Sequence, residues 1–185
     1  MKIAGWLAMA SAFLTLPIAY LSFCLEGVHN SYSDIIQTSI QTTGTLLFLA
    51  IILCLKRLLN AIFNFHGTDK NIDLMIIASI VTGMLSIGMF SFPALKESLQ
   101  PAVIVILVAL GIVQAQFGYR LLKLSNNLGG LLKPFCYANM ATGIFLASVV
   151  LMPISIIVSA LSDLMLGTIF FNISRLTRTN GSGQH

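Results

Sequence analysis

Four runs of about 20 apolar residues, then a fifth about twice as long, dominate this chain, and about 20 apolar residues of helix cross a bilayer core of about 30 Å. The runs extend from Ile3 to Cys24, Gln37 to Leu55, Leu74 to Leu95 and Ala102 to Tyr119, and then from Phe135 to Ser174. Inside hydrocarbon the backbone must satisfy its own hydrogen bonds, which makes the spans helices. Composition excludes the soluble alternative. Charged residues are 9% and hydrophobic residues 57% of the chain, with mean hydropathy +0.93; a soluble domain carries about 25% charged residues. A disordered chain needs the opposite balance.

The last run decides the topology. As one straight helix its roughly 40 residues would reach about 60 Å, twice the hydrocarbon thickness. Pro153 lies near its middle, within Met152-Pro153-Ile154-Ser155. Proline removes a helical hydrogen bond and disfavours helix in the residue before it. The run therefore reads as two spans with a tight turn near Pro153; the rival is one kinked helix and five spans. Charge favours the first. With the N-terminus in the cytoplasm and six spans, Lys2, Lys56, Arg57, Lys70, Arg120, Lys123, Lys133, Arg175 and Arg178 all lie inside and only Lys96 lies outside. Five spans would move Arg175 and Arg178 outward, against the positive-inside rule.

We therefore expect an all-α, polytopic membrane helix bundle with six transmembrane helices and both termini cytoplasmic. Residues 1–176 would form one transmembrane domain and 177–185 a flexible polar tail. The run after Met1-Lys2 is long enough to be a retained first span. A weak repeat suggests three helical hairpins: Lys56-Arg57-Leu58-Leu59, Arg120-Leu121-Leu122-Lys123 and Arg175-Leu176 end inward spans, and Ala10-Ser11, Ala78-Ser79 and Ala141-Thr142 recur in the outward ones. Basic residues end most cytoplasmic helix ends, so convergence explains the same pattern. The formal charge of +4 is read as membrane orientation, with no nucleic-acid partner. A bacterial-type inner membrane, N-in and C-in, is the expected location. Phe63 and Phe65 read as interfacial anchors beside Lys56 and Arg57, Trp6 as one at the cytoplasmic end of the first span and Tyr32 as one in the outer loop.

Asp163 is the one ionisable residue deep within an expected span. A mid-span acid costs about 2.5–3.5 kcal/mol on insertion scales and faces other helices or water. Ser155, Ser159, Asp163 and Gly167 recur every four residues, so they share one helix face that lets another helix approach closely. Helix packing, proton or ion handling and an intersubunit contact all fit such a face. Gln41, Gln114 and Asn139 are further intramembrane polar candidates, because amides bond across helices in bilayers.

Catalytic and cofactor signatures are missing. His29, His66 and His185 all lie outside the spans, so a haem held by intramembrane histidines lacks its ligands. There is no H-E-x-x-H, no P-loop, no G-x-G-x-x-G, and no mid-span base to activate a serine. Glu26, His29 and Asp34 are too dispersed to signal a metal site. Cys24, Cys54 and Cys136 form no C-x-x-C pair. No cofactor, no metal and no enzymatic activity are expected. The leading expectation is an accessory or structural subunit that packs against a membrane-protein partner, or against further copies of itself, within the lipid bilayer. The alternative is a small transporter or channel with Asp163 as its proton- or ion-sensitive residue.

Overall fold

The computed structural model of the chain describes residues 2–25, 31–91, 96–124 and 130–181. Six helices follow one another: α1 Lys2–Leu25, α2 Ser31–Phe63, α3 Asp69–Ser91, α4 Lys96–Leu121, α5 Leu132–Ala147 and α6 Met152–Gly181. No strand occurs among the described residues. All but α5 are long and apolar enough to cross a membrane. The expected six spans thus appear as six helices, of which five have spanning length. At 16 residues, α5 reaches about 24 Å, less than the hydrocarbon core.

The shortfall follows from where the last run divides. Residues Ser148–Leu151 turn the chain, and α6 begins at Met152 with Pro153 as its second residue. There the missing proline N–H costs nothing, because the first helical N–H groups have no intrahelical acceptor. The turn satisfies its own backbone. The amides of Ser148, Val149, Val150 and Met152 donate to the carbonyls of Ile144, Leu146, Ser148 and Val149. The Leu151 amide donates to Ser148 Oγ at 3.3 Å. Val149 adopts φ 58°, in the left-handed region, which costs a side-chain-bearing residue about 1–2 kcal/mol.

The α2–α3 connection is shorter than the sequence pattern suggests. Asp69, Lys70 and Asp73, expected in a loop, belong to α3, and α2 continues past Lys56 and Arg57 to Phe63. Asn64, at φ 47°, ends α2, and the Phe65 amide donates back to the Leu59 carbonyl at 3.0 Å. Polar pairs extend both helices beyond their apolar parts: Lys56 Nζ lies 2.5 Å from Asp73 Oδ1, and Asn60 Nδ2 donates to Asp69 Oδ1 at 3.0 Å. Likewise α4 starts at Lys96 and keeps Pro101 within it. At the other end α6 runs on through Thr177 to Gly181. Glu26, His29, Gly129 and His185 lie outside the described residues.

Each helix packs against its neighbours in sequence, and α6 closes back onto α1, so the helices form a ring. Neighbours run antiparallel: a Cβ on Gly5 of α1 would touch the Phe171 ring of α6, and one on Gly111 of α4 would meet Gly143 of α5. Lys2, Lys56, Arg57, Lys70, Arg120, Lys123, Lys133 and Arg175 consequently gather at one end of the ring. The closest pair is α4–α5. A Cβ on Gly111 would sit 2.6 Å from the Gly143 carbonyl oxygen, and one on Gly118 2.7 Å from that of Cys136. Only glycine allows such approach.

Packing is uneven along the ring axis. Phe117, Phe170, Leu58, Leu59, Ile72 and Leu121, all fully buried, plug the half nearer the basic end. Among the described residues, none within 13–50, 76–89, 97–116 or 139–159 is a buried hydrophobic.

Candidate functional site

Above that plug lies a cavity of about 60 Å³ to which all six helices contribute. Its wall has two chemically distinct halves. Helices α2 and α3 supply Phe48, Ile51, Ile52, Leu55 and Met75, all apolar. Helices α1, α4, α5 and α6 supply all the polar side chains, Ser11, Gln114, Asn139, Ser159, Ser162 and Asp163, together with Phe117, Phe135 and Leu166 toward the plug. The polar half exists because α6 turns one serine-rich face inward while its Gly167 seats against α1. A Cβ on Gly167 would lie 3.0 Å from Met9 Cγ and 3.2 Å from the Gly5 carbonyl oxygen. Ala4, Ala8 and Ala12 of α1 are buried against this contact at four-residue spacing.

Two hydrogen-bonded groups line the polar half. Ser11 Oγ donates to Asp163 Oδ2 at 2.8 Å, joining α1 to α6. Asn139 Nδ2 donates to Ser162 Oγ at 2.8 Å and to the Phe135 carbonyl at 3.0 Å, joining α5 to α6. Gln114 Nε2 reaches Asn139 Oδ1 at a long 3.5 Å, which adds α4. Asp163 has no cationic partner: among the described residues the Lys–carboxylate pair is Lys56–Asp73, and His66 Nδ1 lies 3.0 Å from Asp69 Oδ2, both at the basic end. Further oxygen capacity faces the space. Among the described residues no hydrogen bond reaches Asp163 Oδ1, Ser159 Oγ or Gln114 Oε1.

Of the residues singled out in the sequence, Asp163, Gln114, Asn139 and Ser159 meet at this cavity. Gln41 does not join them. It lines a separate groove of about 190 Å³ between α2 and α3, beside Thr42, Thr45, Gly83 and Met84. Ser155 is buried near the start of α6 and donates to the Met152 carbonyl at 2.6 Å. Gly167 makes the α1 contact described above. Sequence reasoning did not single out Ser11 or Ser162 as site residues. The small residues Ala4, Gly5, Ala8, Ser11 and Ala12 were the available signal, since they mark the α1 face that must meet another helix. Ser162 offered none beyond lying next to Asp163.

A volume of about 60 Å³ holds a few waters or one small ion, and is far below the roughly 300–1,000 Å³ of organic ligand pockets. The arrangement can bind, orient and pass on small polar species. Among the described residues no cluster of three or more His, Cys, Asp or Glu side chains could hold a metal. In comparisons with protein-family models, with curated proteins and with solved structures, the chain matches none of them.

Proposed function

We propose that this chain is a small, non-enzymatic membrane transporter of a proton or small ion, with Asp163 as the ion-sensitive group. One observation carries the reading: an uncompensated carboxyl and five other polar side chains converge on a cavity inside a closed helix ring. A carboxyl costs about 2.5–3.5 kcal/mol at the middle of a bilayer, and intramembrane acids mark ion and proton pathways. The apolar plug around Phe117 and Phe170 seals the basic end, and the loosely packed half offers the approach from the opposite side. The basic end faces the cytoplasm in this reading, N-in and C-in in a bacterial-type inner membrane, and α5 crosses together with α6. Protein reconstituted into vesicles with an ion- or pH-sensitive dye inside tests the proposal. Imposed gradients should drive flux through the native chain, and Asp163→Asn should abolish it. Flux that survives the substitution sinks the role given to Asp163.

The second reading is an accessory subunit in a larger membrane complex. The groove between α2 and α3 favours it: it opens beside Gln41, Thr45 and Gly83, and Gly88 further along α3 has no atom within 4 Å of where a Cβ would stand. Gentle-detergent purification from native membranes, followed by intact-complex mass, separates the two. A stoichiometric heteromeric assembly supports the accessory reading; a monomer or homo-oligomer removes it.

A further inference from the structure

Resting on the transporter reading, we propose that the central cavity is a binding site for one small, hard monovalent cation of the sodium type, ligated by Asp163 and by hydroxyl and amide oxygens from α1, α4, α5 and α6.

The wall chemistry selects the ligand. Ser11, Ser159, Ser162, Gln114, Asn139 and Asp163 all present oxygen; the wall holds no imidazole or thiol, and its one sulfur is the Met75 thioether among the apolar side chains. Oxygen sets of this kind suit hard cations. The wall carries a single carboxyl and no other acid. A monovalent cation would therefore leave the filled site neutral, whereas calcium sites gather several carboxylates.

The oxygens left without a partner matter most. Asp163 Oδ1, Ser159 Oγ and Gln114 Oε1 accept nothing within the described chain, on three different turns of two helices. A proton on Asp163 would satisfy one acceptor at most. A cation draws several inward together. Nor does the wall hold a second titratable group to receive a proton from Asp163. The remaining wall also favours an ion stripped of most of its water. The space admits a small ion with one or two waters, and the opposite half, Phe48, Ile51, Ile52, Leu55 and Met75, cannot hydrate it. Organic cations are excluded by size.

The test uses the full chain purified in detergent, with sodium, potassium or choline chloride at constant ionic strength. Sodium should raise the melting temperature saturably, choline should not, and radioactive sodium should bind at one ion per chain. Asp163→Asn should remove both responses, while Thr45→Ala, in the separate α2–α3 groove, should keep them. Should Asp163→Asn fail to fold, Ser159→Ala supplies the second variant, with sodium affinity about three- to tenfold lower, as the loss of one polar contact implies.

Equal shifts with all three salts, an absence of bound sodium, or a sodium response unchanged in Asp163→Asn overturns the cation site. These failures are distinct from failure of the transporter reading. Asp163-dependent proton flux in sodium-free vesicles, with no sodium bound, overturns the cation site and leaves the transporter standing. One sodium per chain without any flux upholds the site and removes the transporter.

Discussion

Replacing Gly143 by alanine should push α4 and α5 apart. The added Cβ would stand 2.5 Å from the Ala115 nitrogen and against the Gly111 carbonyl oxygen, all backbone atoms that cannot swing away. Reaching an ordinary contact of 3.4 Å requires about 0.9 Å of separation, the difference between the two distances. Overpacking on this scale costs about 2–3 kcal/mol, and alanine returns up to about 1 kcal/mol in helix propensity, so a net loss of about 1–2 kcal/mol is expected. Gly111→Ala should behave alike, since its Cβ would meet the Gly143 carbonyl oxygen at 2.6 Å. One separation relieves both clashes, so the double variant should lose less than the sum of the singles, by about 1 kcal/mol. Gly88→Ala is the internal control. Nothing lies within 4 Å of its Cβ position, so only the propensity gain of about 0.5–1 kcal/mol remains and the sign reverses. Equilibrium unfolding in mixed micelles, titrated with a denaturing detergent, measures all four. A Gly143→Ala loss below about 0.5 kcal/mol, or strictly additive singles, would refute the close α4–α5 contact.

Other perturbations follow from the same contacts. Gly167→Ala should be nearly neutral in that titration, because its Cβ would meet the flexible Met9 side chain at 3.0 Å before any backbone atom. Asn139→Ala removes the bonds to Ser162 and Gln114 and should cost about 1–2 kcal/mol, the range for interhelical bonds in membranes; a change under about 0.3 kcal/mol would show that the α5–α6 link is not formed. Asn64→Val places a β-branched residue at φ 47° and should destabilise by about 1–2 kcal/mol, read as lost amide-exchange protection at the end of α2.

How much of this was legible in the sequence varied with the kind of interaction. Apolar length showed where the membrane helices lie, because the bilayer imposes one physical scale on every run. Pro153 marked the division of the last run for a backbone reason that needs no tertiary information. Helix ends were less legible. Asp69 and Asp73 look like loop residues by charge, yet they open α3, because Lys56 and Asn60 across the turn give them partners. The cavity was half visible. Asp163 stood out through its insertion cost, and Gln114 and Asn139 through their amides. Gln41 has the same chemistry and shares a face of α2 with Phe48 and Leu55, but it stands two turns beyond Phe48, beside Gly83 and Met84 of α3 instead of at the cavity. Ser11 was hidden in an apolar run because a serine carries almost no penalty there. What makes it part of the site is the closure of α6 onto α1, a contact between the two ends of the chain.

The α5–α6 turn bears on how this protein enters its membrane. Ser148–Leu151 carries no charge, and its amides already have acceptors. A polar loop must be dragged across the hydrocarbon before two helices can insert; here nothing resists the passage, and Val150, 85% exposed, presents an apolar tip. Between Lys133 and Arg175 the one charged side chain is that of Asp163. With the basic end on the side of synthesis, as in the orientation proposed above, the hairpin can slip in from there as a single piece. Its depth would be fixed by Lys133 and Arg175 at its open end, the way a staple is stopped by its crown. Biogenesis would then leave the ring open until the hairpin enters, with α6 arriving to shut it against α1.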